Sequence, residues 1–266
     1  MNTDNSLNDL LKCFHESPQA SSKVTNYFQI YVDLFSHLRG KDCTFIETGV
    51  LNGGSLFMWR NWLGDKARII GIDLNPVAKQ WEQFGFEIFI GDQGDPAFWE
   101  TFYLSVGSFD VLLDDGGHQS FQQIVTLSEA IKAAKNKCTI VIEDTCASFF
   151  KEFGAHHEHS FLEYAKDSTD TLLANTNQFY PGQYPQINNP KIVEQFSSVY
   201  SVQFFSGMVA YHIDPIARER PKLIWNQSPQ ASTIASDFRY EGVSSATVNW
   251  PDPFNETTIT IQGGPV

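Results

Sequence analysis

Five short apolar runs follow one another from Cys43 onward, each with an acidic residue at or near its end: TFIETG, ARIIGIDL, FEIFIGD, FDVLLDD and TIVIEDT. Such runs are apolar on both faces, and helical or turn segments separate them. That pattern constrains the chain to a parallel sheet covered on both sides. The segments between carry helix signals. Asp95-Pro96 offers an N-cap followed by proline at the first helical position. Ser120 with Gln123, and Ser160 with Glu163, read as capping boxes. Gly64 is placed to end a helix that begins near Gly54. Upstream, YFQIYVDLFSHL at 27–38 has helical apolar spacing, with Tyr27, Tyr31, Leu34, Phe35 and Leu38 on one stripe. Downstream, SVYSVQFF and MVAYHI flank Ser206-Gly207 and predict a hairpin. Three stretches are expected: a helical cap (1–40), the main α/β domain (41–213) and an extension without sustained periodicity (214–266).

Charge narrows the partners. A formal net charge of −13 over 266 residues excludes a duplex nucleic-acid binder and adhesion to anionic membranes, both of which need Lys and Arg. The 42% of hydrophobic residues is enough for a sizeable core. Cys13, Cys43, Cys138 and Cys146 show no CxxC spacing. The last three lie in or beside apolar runs, where buried free thiols are expected. MNTDNSLNDL lacks a basic n-region and an apolar h-region, so no signal peptide is expected, and the chain reads as cytoplasmic.

The first candidate site is the turn after the first run, Glu47-Thr48-Gly49-Val50-Leu51-Asn52-Gly53-Gly54-Ser55. Glycines let backbone approach a ligand, and the helix start offers free N–H groups to an anion. Asp73 follows Gly53 by 20 residues, a spacing that suits hydrogen bonds to ribose hydroxyls. The glycines fit neither GxGxxG nor a Walker loop, which disfavours a pyrophosphate ligand. Glu47, two places before the first glycine, suits an ammonium group instead. Adenosine joined to an amino acid is S-adenosylmethionine. The cofactor-contacting set is therefore expected to be Glu47, Gly49, Asn52, Gly53, Gly54 and Ser55 from the turn, with Asp73, Asp92, Gln93 and Asp114 from later strand ends. A tight turn with ordinary strand-end acids would also produce these residues.

The second candidate site is DDGGH with IEDT. If these strands are neighbours, Asp114, Asp115, Glu143 and Asp144 crowd one rim, which a cation would relieve. Oxygen ligands without cysteine favour Mg²⁺, Mn²⁺ or Ca²⁺ over zinc. Glu143 and Asp144 are adjacent, so they reach one ion only if the strand has already turned into its loop. His118 has the residue type of a general base near neutral pH. His156-His157-Glu158-His159 reads mainly as a loop near the rim.

ETGVLNGGS, GIDLNP, DDGGH and IEDT, in this order and spacing, resemble the metal-dependent sugar O-methyltransferases of natural-product biosynthesis, of the macrocin and mycinamicin type. Cephalosporin-hydroxylase-like proteins share the signature. The resemblance covers roughly residues 25–213. It implies a class I methyltransferase (Rossmann-like) α/β fold, with a mostly parallel seven-stranded sheet, helices on both faces and a C-terminal β-hairpin. It assigns Mg²⁺ to Asp115, Glu143 and Asp144, the base role to His118, and a covering role to the helix around Tyr27 and Tyr31. The expected reaction is O-methylation of a glycosylated or polyhydroxylated small molecule by a homo-oligomer. An N-methyltransferase, a metal-dependent oxygenase using Asp115, His118 and a third ligand from the His156–His159 cluster, and a non-catalytic S-adenosylmethionine-binding partner protein remain as alternatives.

Overall fold

The computed structural model describes residues 3–153, 159–174, 194–216, 245–251 and 257–262. The chain divides into two compact units, 1–222 and 223–266.

The first unit is built on seven strands: β1 (Cys43–Thr48), β2 (Ala67–Asp73), β3 (Glu87–Ile90), β4 (Val111–Asp114), β5 (Cys138–Ile142), β6 (Val199–Phe205) and β7 (Met208–Ile213). Their order is β3-β2-β1-β4-β5-β7-β6, parallel through β5, with β7 antiparallel to β5 and to β6. This is the class I methyltransferase fold. The β6–β7 hairpin turns at Ser206-Gly207 as the sequence predicts.

Alternation along each strand divides the core in two. Phe45, Ile69, Leu113 and Val141 face one side. They meet the helices α1 (Thr3–His15), α2 (Tyr27–Phe35) and α3 (Gly54–Leu63). Ile46, Ile70, Leu112 and Ile140 face the other side. Here they meet α4 (Pro96–Val106), α5 (Ser120–Ala133) and α6 (Phe161–Ala174). Trp59 fixes the first side, with its ring 4.7 Å from Phe45 and 5.0 Å from Tyr31. Trp99 and Phe102 are buried on the second.

Helix ends follow the sequence in most places. Asp95 caps α4 through the N–H of Ala97, Gly64 ends α3, and Ser160 Oγ accepts from the N–H of Glu163. Ser120 differs. It is the first residue of α5 rather than its cap, Gln119 takes the cap position, and Gln123 turns inward to donate to the Glu143 carbonyl. The packing between β4 and β5 takes precedence over the local capping pattern. Cys146 also differs from expectation: it is exposed, because the chain has left the sheet by then, whereas Cys43 and Cys138 are buried.

In the second unit, β8 (Ser245–Trp250) and β9 (Thr257–Gln262) pair antiparallel, from Ser245 opposite Gln262 to Trp250 opposite Thr257. The extension therefore contains a hairpin that its Pro- and Asn-rich composition obscures. Residues 175–190 and His156–Glu158 lie outside the described residues.

Candidate active site

The strand order reverses between β1 and β4, and in doubly wound sheets such a switch point opens a crevice at the carboxyl ends of the strands. A cavity of about 610 Å³ lies there. Gly49, Asn52, Gly54, Ser55, Asp73, Asp92, Gln93, Asp115, His118, Glu143 and Asp144 all line it. Eleven of the fourteen residues expected from the sequence thus share one wall.

Each end of the turn after β1 is shaped by close backbone approach. Gly49 has φ +90°, and a Cβ there would collide with the Asp115 carbonyl, so β1 and β4 can leave the sheet side by side. At Gly54 a Cβ would stand 2.5 Å from the Ala20 carbonyl oxygen, because residues 17–24 lie directly on this turn. Ser17 Oγ donates to the Gly54 carbonyl at 2.8 Å, and Ala20 to Val24 form part of the cavity wall. No side chain caps α3, which leaves first-turn N–H groups for an anionic ligand.

Asp73 is held rigidly. Its carboxylate accepts from the N–H groups of Val50, Leu51 and Asn75 at 2.8–3.0 Å. Of roughly four acceptor sites on a carboxylate, three are filled, and one remains for a hydroxyl. Asp92 accepts from the Gly94 N–H and so forms a turn as well as lining the cavity. Gln93 donates to both Asp114 oxygens and accepts from the Gly117 N–H, which ties the end of β3 to the loop after β4.

The remaining three expected residues sit behind the wall. Gly53 lies under the Trp81 ring. Asp114 is buried by the Gln93 amide, and burial pushes its carboxyl up to about 6. Glu47 is buried, and Ser55 Oγ and Trp59 Nε1 donate to it at 2.7 and 3.2 Å, which ties β1 to the start of α3; burial raises its pKa.

The rim after β4 and β5 brings Asp115, His118 and Asp144 together, with one potential ligand atom from each within 4.8 Å of the others. His118 Nε2 is 3.5 Å from Asp144 Oδ2. Asp144 has φ +52°, so the chain has turned at that residue, and Glu143 and Asp144 take different directions. Asp144 accepts from the Tyr27 hydroxyl at 2.6 Å. Glu143 is buried and accepts from the Tyr31 hydroxyl.

Lys23 was not legible in the sequence. Its ammonium donates to Asp115 Oδ2 at 2.5 Å and to the two Glu143 oxygens at 3.4 and 3.2 Å, and stands 3.7 Å from Glu47. Burial opposes its charge, but Glu143, Tyr31, Asp115 and Glu47 together hold its pKa well above the ordinary lysine value. Burial also raises the pKa of Glu143; the Lys23 ammonium opposes the rise, and the Asp115 carboxylate adds to it. Lys23 lies in SSKV, which has no periodicity and no motif, so only the folded path of the chain brings it to the rim.

The donor set suits a hard cation: carboxylate oxygens and one imidazole, with no thiolate. The cavity volume lies within the roughly 300–1,000 Å³ of small-molecule sites.

No family model matches the chain. Among curated proteins it is similar to the 8-demethyl-8-alpha-L-rhamnosyl tetracenomycin-C 2'-O-methyltransferase of Streptomyces olivaceus, 26% identical over 170 residues, which cover 61% of this chain and 43% of that protein. It is also similar to the demethylmacrocin O-methyltransferase of Streptomyces fradiae, 26% identical over 127 residues, 45% of this chain and 32% of that one. The chain thus spans less than half the length of these relatives. Among solved structures it matches the MycE methyltransferase from the mycinamycin biosynthetic pathway in complex with Mg and SAH, with TM-score 0.64 and 17% identity over 79% of this chain and 55% of that one. The fold is that of class I methyltransferases, and the curated relatives are the sugar O-methyltransferases that the motifs resemble.

Proposed function

We propose that the chain transfers a methyl group from S-adenosylmethionine to a hydroxyl of a glycosylated or polyhydroxylated small molecule, with a divalent cation, Mg²⁺ first, at the rim. The carrying observation is continuity: one cavity runs from the Asp73-anchored turn to the Asp115–His118–Asp144 group.

Asp73 would accept one ribose hydroxyl with its free acceptor site, and the N–H groups of the α3 start would take the amino-acid carboxylate. Asp115 and Asp144 would hold the cation, and the small turn about Asp144 brings Glu143 within reach of the cavity. When bound, the cation lowers the pKa of an acceptor hydroxyl and fixes its direction. His118 would take the hydroxyl proton. Its Nδ1 is buried without a hydrogen-bond partner among the described residues, and Asp144 Oδ2 stands 3.5 Å from its Nε2. Tyr27 would fix Asp144 through its hydroxyl. The walls from residues 20–24 would keep water from the reacting atoms.

The named targets of the relatives, rhamnosyl tetracenomycin C and demethylmacrocin, support a glycosylated acceptor. Among the described residues the group offers two carboxylates and one imidazole, the reverse of the usual iron-oxygenase set of two imidazoles with one carboxylate. No described helix is long and apolar enough to cross a membrane.

The test is calorimetric titration with S-adenosylhomocysteine, with and without Mg²⁺, followed by an acceptor screen with labelled methyl donor. Binding of S-adenosylhomocysteine and label on a hydroxyl are expected. No nucleoside binding in either condition would end the proposal. Label on nitrogen would turn it into the N-methyltransferase.

A further inference from the structure

Lys23 has no place in the reaction described so far, yet its ammonium is among the most enclosed charges in the structure. The side chain is 2% exposed and reaches three carboxylates from three different places: Glu47 on β1, Asp115 after β4 and Glu143 after β5. Two of these, Asp115 and Glu143, line the cavity. An apolar side chain in place of a buried ion pair is often neutral or stabilising, so packing alone does not call for an ammonium here. The ammonium therefore has a use beyond holding residues 17–24 in place.

That use follows from the charges. The three carboxylates that line the cavity, Asp115, Glu143 and Asp144, together with the one ammonium leave a formal charge of minus two at the rim. One divalent ion completes the neutralisation, whereas a trivalent ion would leave it overcharged. An ammonium beside the site also repels any incoming cation, and this repulsion is strong where water is excluded.

We propose that Lys23 is the resident cation of the rim, a positioning residue that aligns Asp115 and Glu143 before an ion arrives and sets both the affinity and the charge of the ion the site accepts. This rests on the metal reading above. Lys23 competes for the same carboxylate oxygens, so it weakens ion binding and keeps it exchangeable. Glu47 has the opposite effect. It lies outside the cavity wall, draws the ammonium inward, and so relieves the repulsion at Asp115.

The experiment is calorimetric titration of the full chain with Mn²⁺, and terbium luminescence for a trivalent probe, on wild type, Lys23→Met and Glu47→Gln, at one fixed pH and salt. Lys23→Met should bind Mn²⁺ about tenfold more tightly or better, and should gain still more for Tb³⁺. Glu47→Gln should bind Mn²⁺ more weakly than wild type. A damaged site would lose affinity in both variants, so the opposed signs separate tuning from collapse. If Lys23→Met does not fold, the Glu47→Gln result and Lys23→Gln decide the matter. Equal or weaker Mn²⁺ binding in the Lys23 variants, with wild type still binding, overturns this proposal and leaves the metal reading intact. Absence of binding by every protein overturns both. Binding by the Lys23 variants alone upholds the role of Lys23 and overturns metal dependence of the wild type.

Discussion

His118 Nε2 faces Asp144 Oδ2 at 3.5 Å, and both residues hold left-handed backbone, with φ of +55° and +52°. Among the described residues only one other non-glycine position, Leu51, has positive φ, and it too lines the cavity. Such a conformation costs about 1–3 kcal/mol per residue, and it persists where surrounding structure over-determines it. Here Gln93 pins the loop that carries His118, and Tyr27 pins Asp144. The strain lies where the reaction is proposed to occur.

Replacing His118 separates two roles that one imidazole could fill. His118→Ala should lower turnover by about 10²–10⁴ if the ring is a general base. Binding of S-adenosylhomocysteine and of Mn²⁺ should then be unchanged, as measured by calorimetry. Loss of Mn²⁺ binding would make His118 a ligand and not the base.

The two tyrosines of α2 should differ. Tyr31 donates to a fully enclosed carboxylate, so Tyr31→Phe should cost about 1.5–3 kcal/mol of stability in thermal or denaturant unfolding. Tyr27 donates to the half-exposed Asp144, so Tyr27→Phe should lower turnover with little change in stability. Equal melting points for Tyr31→Phe and wild type would contradict this assignment.

Gly49→Ala should be among the most damaging small changes. The methyl group meets the Asp115 backbone, and φ of +90° is unfavourable for alanine. A loss of about 2 kcal/mol or more is expected, several degrees in melting temperature. Gly107→Ala makes a control, because its φ is also positive but nothing lies within 4 Å. If both variants lost the same stability, the collision would not matter.

Asp114 should impose a pH slope. Its folded pKa is raised by burial to about 6 from 3.8. Between these values the folded state holds a proton that the unfolded chain has released. The stability this group contributes is therefore present below about pH 4 and lost as pH rises toward 6. Denaturant unfolding of Asp114→Asn across that range should show a flatter profile than wild type.

Thiol reactivity checks the burial pattern. Cys146 is exposed and should react first with a thiol reagent under native conditions. Burial pushes Cys43 up to about 11 and Cys138 up to about 12, so neither should react until the chain unfolds. Rapid modification of Cys138 in folded protein would show that the β5 end of the sheet opens readily.

What the sequence revealed and what it hid follow one physical division. Strand ends and turns carry local chemistry, so Gly49, Asp73, Asp115 and His118 could be placed on one rim from their neighbours in the chain. That Glu143 and Asp144 line one cavity only if the strand has already turned was foreseeable from strand geometry. Their different partners were not, since those depend on Tyr31 and Tyr27 arriving from α2. The partners of Glu47 were hidden for a similar reason: its carboxylate could serve a ligand or an indole, and only the fold brings Trp59 Nε1 to it. Ser120 shows the reverse case, where a good local capping pattern yields to long-range packing.

The stretch at 17–24 that walls the cavity belongs to none of the recognisable signatures, all of which fall between Glu47 and Asp144. Transplanting the signatures alone into another sheet would carry over the acidic rim and leave behind both a side of the chamber and its ammonium. In chimeras between this chain and its relatives, function should travel with the unremarkable 17–24 segment as much as with the motifs that resemble theirs.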